Sequence, residues 1–265
     1  MSNDNPHCLI MQLFGPMQSW GISSRWSERD TLLEPSKSGV IGILAAAQGR
    51  SRDESVDDLA ALKMGVRVDL EGVPCVDFQT AGGGDTSAGI AKAADKVPSL
   101  KDEWARLEGT KKIERQGSSI SNRYHLQDAA FLVALQGDDV ALLEELDCAL
   151  RKPVYPIGLG RRGYVPSIPV AMPRDKGVKE GCIDEVFRTE TWLPEQEHLR
   201  ISNLFGRRQQ RLRTVTETSG SDAHATRMDQ PIGAAFATRQ FGPRGVVFCE
   251  VDTRYPEKEL SDDCN

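Results

Sequence analysis

The chain has 265 residues, 33 Lys plus Arg against 39 Asp plus Glu, and a formal net charge of −6. A hydrophobic share of 39% beside 27% charged residues describes a soluble globular chain long enough to bury a core, and excludes a disordered polymer as the first reading. The longest apolar run, Val40 to Ala47, is too short to cross a bilayer, and the start Met1-Ser2-Asn3-Asp4-Asn5-Pro6 lacks the basic and apolar segments of a secretion signal, so a cytoplasmic protein without a membrane partner is expected.

In chain order, His7 to Phe14 predicts a strand with Leu9, Met11 and Leu13 on one face, ended by Gly15-Pro16. Pro35-Ser36-Lys37-Ser38-Gly39 opens a helix over the apolar segment Val40 to Ala47, with Ser36 or Ser38 as cap and Gly49 as stop. A short helix runs from Ser55 to Leu62. Met64 to Leu70 and Val73 to Thr80 read as strands of a hairpin around Glu71-Gly72. Residues 81 to 121, with Gly82-Gly83-Gly84 and little apolar periodicity, form an excursion from the core. Tyr124 to Leu135 reads as one strand, and Asp139 to Leu150 as a helix with Val140, Leu143, Leu146 and Leu150 inward. Gly181 to Gly233 resists parsing, and Val246 to Val251 is a last strand. This order suggests an α+β, ferredoxin-like (RRM-like) sandwich with an extended thumb insertion. The main domain would comprise residues 1–80 and 122–255, the arm 81–121, and an acidic tail 256–265.

Basic residues are segregated. Arg200, Arg207, Arg208, Arg211 and Arg213 fall in a stretch without acids, as do Arg151, Lys152, Arg161 and Arg162, while Lys111, Lys112, Arg115 and Arg123 make a third group. Such clustering fits a face that grips a polyanion, the alternative being arginines on ordinary solvated faces. Two segments have phosphate-binding logic. At Lys37-Ser38-Gly39 a helix start would offer backbone N–H groups and a lysine; Gly158-Leu159-Gly160-Arg161-Arg162-Gly163 would offer a close backbone approach and two guanidinium forks. The second is no dinucleotide fingerprint, since Tyr164-Val165-Pro166 follows instead of a helix. Gln18, Trp20, Arg25, Trp26 and Arg29 crowd one loop, where planar groups could stack on unpaired bases or Trp could anchor packing. Tyr124 and His125, with Lys111 or Lys112, could instead serve a metal-free ribonuclease as acid–base groups. Six scattered cysteines without CxxC and four dispersed histidines point to no metal and no cofactor.

Leu13-Phe14-Gly15-Pro16-Met17-Gln18-Ser19-Trp20-Gly21, followed by Pro35-Ser36-Lys37-Ser38-Gly39-Val40-Ile41-Gly42, resembles the opening of the CasD family of CRISPR Cascade subunits. Lys152-Pro153-Val154-Tyr155, Leu159-Gly160-Arg161-Arg162 and Arg239-Gln240-Phe241 agree with it. The resemblance implies a ferredoxin-like domain with a thumb at residues 81–121. It further implies a non-catalytic subunit of a type I-E antiviral surveillance complex that caps the 5′ handle of the crRNA. Its partners would be the crRNA, the backbone subunit CasC, the large subunit CasA and, indirectly, target DNA. Carried over position by position, Gln18, Trp20, Gly21, Lys37, Ser38, Gly39, Gly160, Arg161 and Arg162 become RNA-contact candidates, joined from the charge pattern by Arg25 and Arg29. Arg207, Arg208, Arg211 and Arg213 are possible further nucleic-acid contacts. The alternative implied by type I-C relatives is a metal-independent endoribonuclease that cuts repeat RNA at Tyr124 and His125.

Overall fold

A computed structural model describes residues 5–23, 27–81, 119–173, 175–193 and 210–254. They fall into two compact units, one of residues 5–23, 30–75, 124–173, 175–193 and 210–254, the other of residues 27–29, 76–81 and 119–123.

The first unit is built on a seven-stranded sheet in the order β10-β11-β9-β4-β7-β1-β8, every neighbouring pair antiparallel. Its strands are β1 (His7–Phe14), β4 (Lys63–Leu70), β7 (Ala130–Gly137), β8 (Val178–Glu180), β9 (Arg211–Thr218), β10 (Ala225–Pro231) and β11 (Phe241–Asp252). Strand β1 lies buried at the middle of one half, paired from His7↔Gly137 to Phe14↔Ala130. Side chains alternate across a strand, so both faces of β1 must be covered. Leu9, Met11 and Leu13 enter one apolar cluster, under the helices α1 (Lys37–Gln48) and α3 (Val140–Arg151). Cys8, Ile10 and Phe14 enter a second cluster, under α4 (Ile183–Thr189) together with Trp192 and Leu193.

Each helix starts and stops for a local reason. Ser36 caps α1 by accepting from Gly39 N–H, and Gly49 ends it at φ 80°, in the left-handed region where glycine has no Cβ penalty. Asp139 caps α3 by accepting from Leu142 N–H, and Leu143, Leu146 and Leu150 form its buried stripe; Val140 is only partly buried. The short α2 (Asp57–Ala60) and α5 (Ala235–Thr238) have no side-chain cap. On the opposite face Gly65 admits α4 closely, since a Cβ there would sit 2.4 Å from Ile183 Cγ2. Arg67, fully buried, pairs with Asp69 and donates to the carbonyls of Phe187, Glu190 and Thr191, while Trp192 and Leu193 donate to Asp69. That clasp holds the second layer to the sheet.

Two sequence expectations are corrected here. The stretch 124–135 is not one strand: β6 (Ser119–Gln127) and β7 are separated at Asp128, which has φ 55°. Nor do β4 and β5 (Val73–Ala81) form a hairpin at Gly72; β4 pairs with β7 and β9, and β5 with β6. Gly72, at φ 72°, is instead a bend at which the backbone passes Ala129, with no room for a Cβ (2.7 Å). The segment 181–233, unreadable from its sequence, contributes α4, β9 and β10.

The second unit contains β3 (Glu28–Arg29), paired in parallel with Asn122 and Arg123, and the far parts of β5 and β6. Val76, Phe78 and Ile120 are exposed in it. The acidic tail, and most of the expected arm, lie outside the described residues.

Candidate nucleic-acid interface

The site residues of the first unit gather where the chain leaves β1. β2 (Met17–Gln18) pairs with the end of β6, Gln18 opposite Leu126. Gln18 is fully buried and its amide donates to Leu13 O and Ala129 O, which fixes the loop after β1. Trp20 is 1% exposed and belongs to the core cluster under α1. Gly39 is what lets it in, since a Cβ there would fall 2.8 Å from Trp20 Cε3. The expectation that Gln18 and Trp20 reach RNA is therefore corrected: the Gln18 side chain is a hydrogen-bonding anchor and the Trp20 side chain a packing anchor. Gly21 is exposed.

The start of α1 is also already satisfied. Lys37 N–H donates to Asp229 Oδ2 at 2.7 Å, and Asp229 in turn accepts two bonds from Arg244. Lys37 Nζ, buried, donates to both carboxylate oxygens of Glu217 at 2.8 and 3.1 Å. Burial lowers the Lys37 pKa, opposed by the Glu217 carboxylate. A carboxylate of the protein itself thus takes the place expected for a phosphate, and the helix start is corrected to a structural junction. Ser38, half-buried, donates to Ser36 Oγ. The signal that sequence reasoning missed is Asp229 with Glu217, 192 and 180 residues further along the chain.

The glycine-rich loop behaves differently. Gly160, at φ 84°, presses onto the residue that follows β2: a Cβ would stand 1.7 Å from Ser19 O. Ser19 N–H donates to Leu159 O at 3.1 Å, Leu159 N–H to Tyr164 O at 2.7 Å, and Tyr164 N–H to Arg161 O at 3.0 Å. The last bond closes a β-turn over Arg161-Arg162-Gly163-Tyr164. Arg162, at its tip, is exposed; Arg161, at its base, is half-buried with its guanidinium carbon 5.6 Å from the Tyr164 ring centroid. The same Tyr164 ring lies 5.9 Å from the ring of His125. Ser19 Oγ donates to Tyr124 O at 3.0 Å, tying β6 to the same junction.

Tyr124 and His125 are neighbours on β6, and their side chains part to opposite faces: Tyr124 is 40% exposed, His125 9%. His125 Nδ1 is buried without a hydrogen-bond partner among the described residues. The two residues do not converge as an acid–base pair would.

Of the other expected contacts, Arg29 is exposed on β3 in the second unit. Arg213 is engaged by Glu34 and Glu71, and Arg211 lies within reach of Glu250 and Asp252. Arg25, Trp26, Lys111, Lys112, Arg207 and Arg208 lie outside the described residues. No helix among the described residues is long and apolar enough to cross a membrane.

The sequence profile of the family described as CRISPR-associated protein (Cas_Cas5) matches residues 8–247. The chain belongs to that family. Among curated proteins this Cas5 family member is similar to the CRISPR system Cascade subunit CasD of Escherichia coli (strain K12), with 32% identity over 158 residues. That match covers 58% of this chain and spans 65%, just under two thirds, of the relative's length. A solved Cas protein matches with a TM-score of 0.67 and 36% identity over 94% of this chain and 97% of its own. A chain in a solved CRISPR RNA-guided surveillance complex matches with a TM-score of 0.66 and 27% identity, covering 93% of this chain and 90% of that one. The mixed α+β architecture, with its large antiparallel sheet, is thus similar to that of Cas proteins.

Proposed function

We propose that the protein is a non-catalytic, RNA-binding subunit of a type I-E Cascade surveillance complex, where it caps the 5′ handle of the crRNA beside a CasC-like backbone subunit and a CasA-like large subunit. The observation that carries this reading is the Gly158–Tyr164 loop. Gly160 seats it rigidly on the segment after β1, and its turn presents Arg161 and Arg162 from that seat. Two guanidinium groups on a braced turn suit phosphate oxygens at the end of a single strand, because less freedom is lost on binding. Support comes from the family membership and from the similarity to a chain of an RNA-guided complex. The antiparallel run β8-β1-β7-β4, with α1 and α3 on one face, is the ferredoxin-like frame of the proposal.

The experiment combines the purified chain with labelled repeat RNA in the presence of a chelator, on native and denaturing gels. A shifted, uncut RNA is the expected result. A discrete cut would replace the reading with an endoribonuclease, and RNA neither shifted nor cut would overturn it for the isolated chain.

A further inference from the structure

Tyr164 follows the glycine-rich loop and makes two different contacts with Arg161. Arg161 Nη1 donates to Tyr164 Oη at 3.2 Å, and the guanidinium lies over the ring, 5.6 Å from its centroid. The turn produces both: its first and fourth residues are drawn together by the bond from Tyr164 N–H to Arg161 O, so their side chains meet on one side. The ring is itself backed by His125, buried on β6, at 5.9 Å and an interplanar angle of 56°. His125, Tyr164 and Arg161 thus form a ladder from the sheet to the surface. Arg162, at the exposed tip of the same turn, is the natural control.

Resting on the RNA-binding reading of this loop, we propose that Tyr164 is a positioning residue, which holds the Arg161 guanidinium in one orientation for a backbone phosphate of the RNA. A guanidinium is planar, so its donors have a direction, and stacking on a ring fixes the plane without removing the charge. Arg161 then acts as an aimed fork and Arg162 as a mobile charge. Lysine cannot replace Arg161, having neither a plane to stack nor a fork to aim.

The test is a double-mutant cycle on RNA affinity at fixed salt, with each variant's thermal melt recorded alongside. Arg161→Ala weakens binding about tenfold, and Tyr164→Leu, which keeps the charge but removes ring and hydroxyl, about three- to tenfold. Tyr164→Phe, which removes one oxygen, costs about threefold or less. In the double variant Arg161→Ala/Tyr164→Leu the loss equals that of Arg161→Ala alone, whereas Arg162→Ala and Tyr164→Leu multiply. Arg161→Lys falls close to Arg161→Ala. A purely structural tyrosine would couple equally to both arginines, and that result overturns the proposal. So does affinity within twofold of wild type for Tyr164→Leu while Arg161→Ala is impaired. Should Tyr164→Leu lower the melting temperature, the cycle is repeated with Tyr164→Phe, whose coupling to Arg161 alone decides. An Arg161→Ala variant that binds like wild type would instead overturn the RNA-binding reading of the loop, and the positioning role with it.

Discussion

At the start of α1, Lys37 directs its ammonium at Glu217 and its backbone N–H at Asp229; in the Gly158–Tyr164 loop, Arg162 stands at the tip of a turn and Arg161 lies against a tyrosine. The two segments have the same ingredients, basic side chains beside glycine and a chain reversal or helix start. They differ in what the rest of the fold brings to them. β9 and β10 deliver two carboxylates to the first, so its positive field is neutralised from within. The second is met by the carbonyl of Ser19, which fixes the loop's backbone and leaves its arginines at the surface. A basic residue beside glycine thus stops pointing to a polyanion where a buried acid has already claimed it, as at Lys37.

The largest effect that follows is on stability. Asp229 is fully buried between Arg244 and the start of α1, so Asp229→Ala strands a buried guanidinium and an N–H group. The expected loss is about 3–5 kcal/mol in urea unfolding. Adding Arg244→Met should recover part of it. A loss under about 1 kcal/mol would break the comparison by showing that the junction does not depend on its internal anion.

Next comes Gly160→Ala. The new Cβ would collide with Ser19 O at 1.7 Å, in a left-handed conformation as well. We expect a cost of about 2 kcal/mol or more together with loss of RNA binding, since the whole turn must lift off its seat. Gly163→Ala meets nothing within 4 Å and should match wild type in both assays. Equal behaviour of the two alanines would show that the loop is not seated on Ser19.

Replacing Arg161 and Arg162 together with Ala leaves the fold intact and weakens handle binding about ten- to a hundredfold. The slope of log K against log salt should become shallower by about 0.7 for each phosphate that is no longer neutralised. An unchanged slope would remove the loop from the interface and erase the contrast with α1.

How much of this was legible in the sequence follows from the range of each interaction. β1, α1 and α3 could be read because alternation, a serine cap, a glycine stop and a leucine stripe are local patterns. The break at Asp128 was not, since apolar residues continue past it and only a backbone torsion marks the bend. Gly72 signalled a turn, but which strands pair on either side of it is a property of the whole sheet. At the candidate site, Gly160 and the two arginines stood out by composition. For Trp20, base stacking and packing both stayed open and only the resemblance made it an RNA contact, because its pocket depends on Gly39; Lys37 was taken for a phosphate ligand because its partner is 180 residues away. Tyr164 drew no attention as more than the residue after the loop, since its role lies in the turn that folds it back onto Arg161.

The smallest effect concerns pH and separates the two segments by charge state. Burial holds the Lys37 pKa in the folded protein below its usual 10.5, with Glu217 pulling the other way. Between the lowered value and 10.5 the unfolded chain binds more of this proton than the folded one, so the contribution of Lys37 to stability rises with pH across that window. Cys8 acts oppositely: its thiol is pushed up from 9.0 to about 12, chiefly by burial, so its contribution is present below pH 9 and lost as pH climbs toward 12. Both wild type and Lys37→Met contain Cys8, so its effect cancels when their unfolding free energies are subtracted. The difference, wild type minus variant, should climb as pH approaches 10.5. The corresponding difference for Gly163→Ala, which changes no titratable group in the loop, should stay flat. A flat curve for Lys37 as well would mean that its ammonium is solvated, and would make the start of α1 a candidate for RNA binding once more.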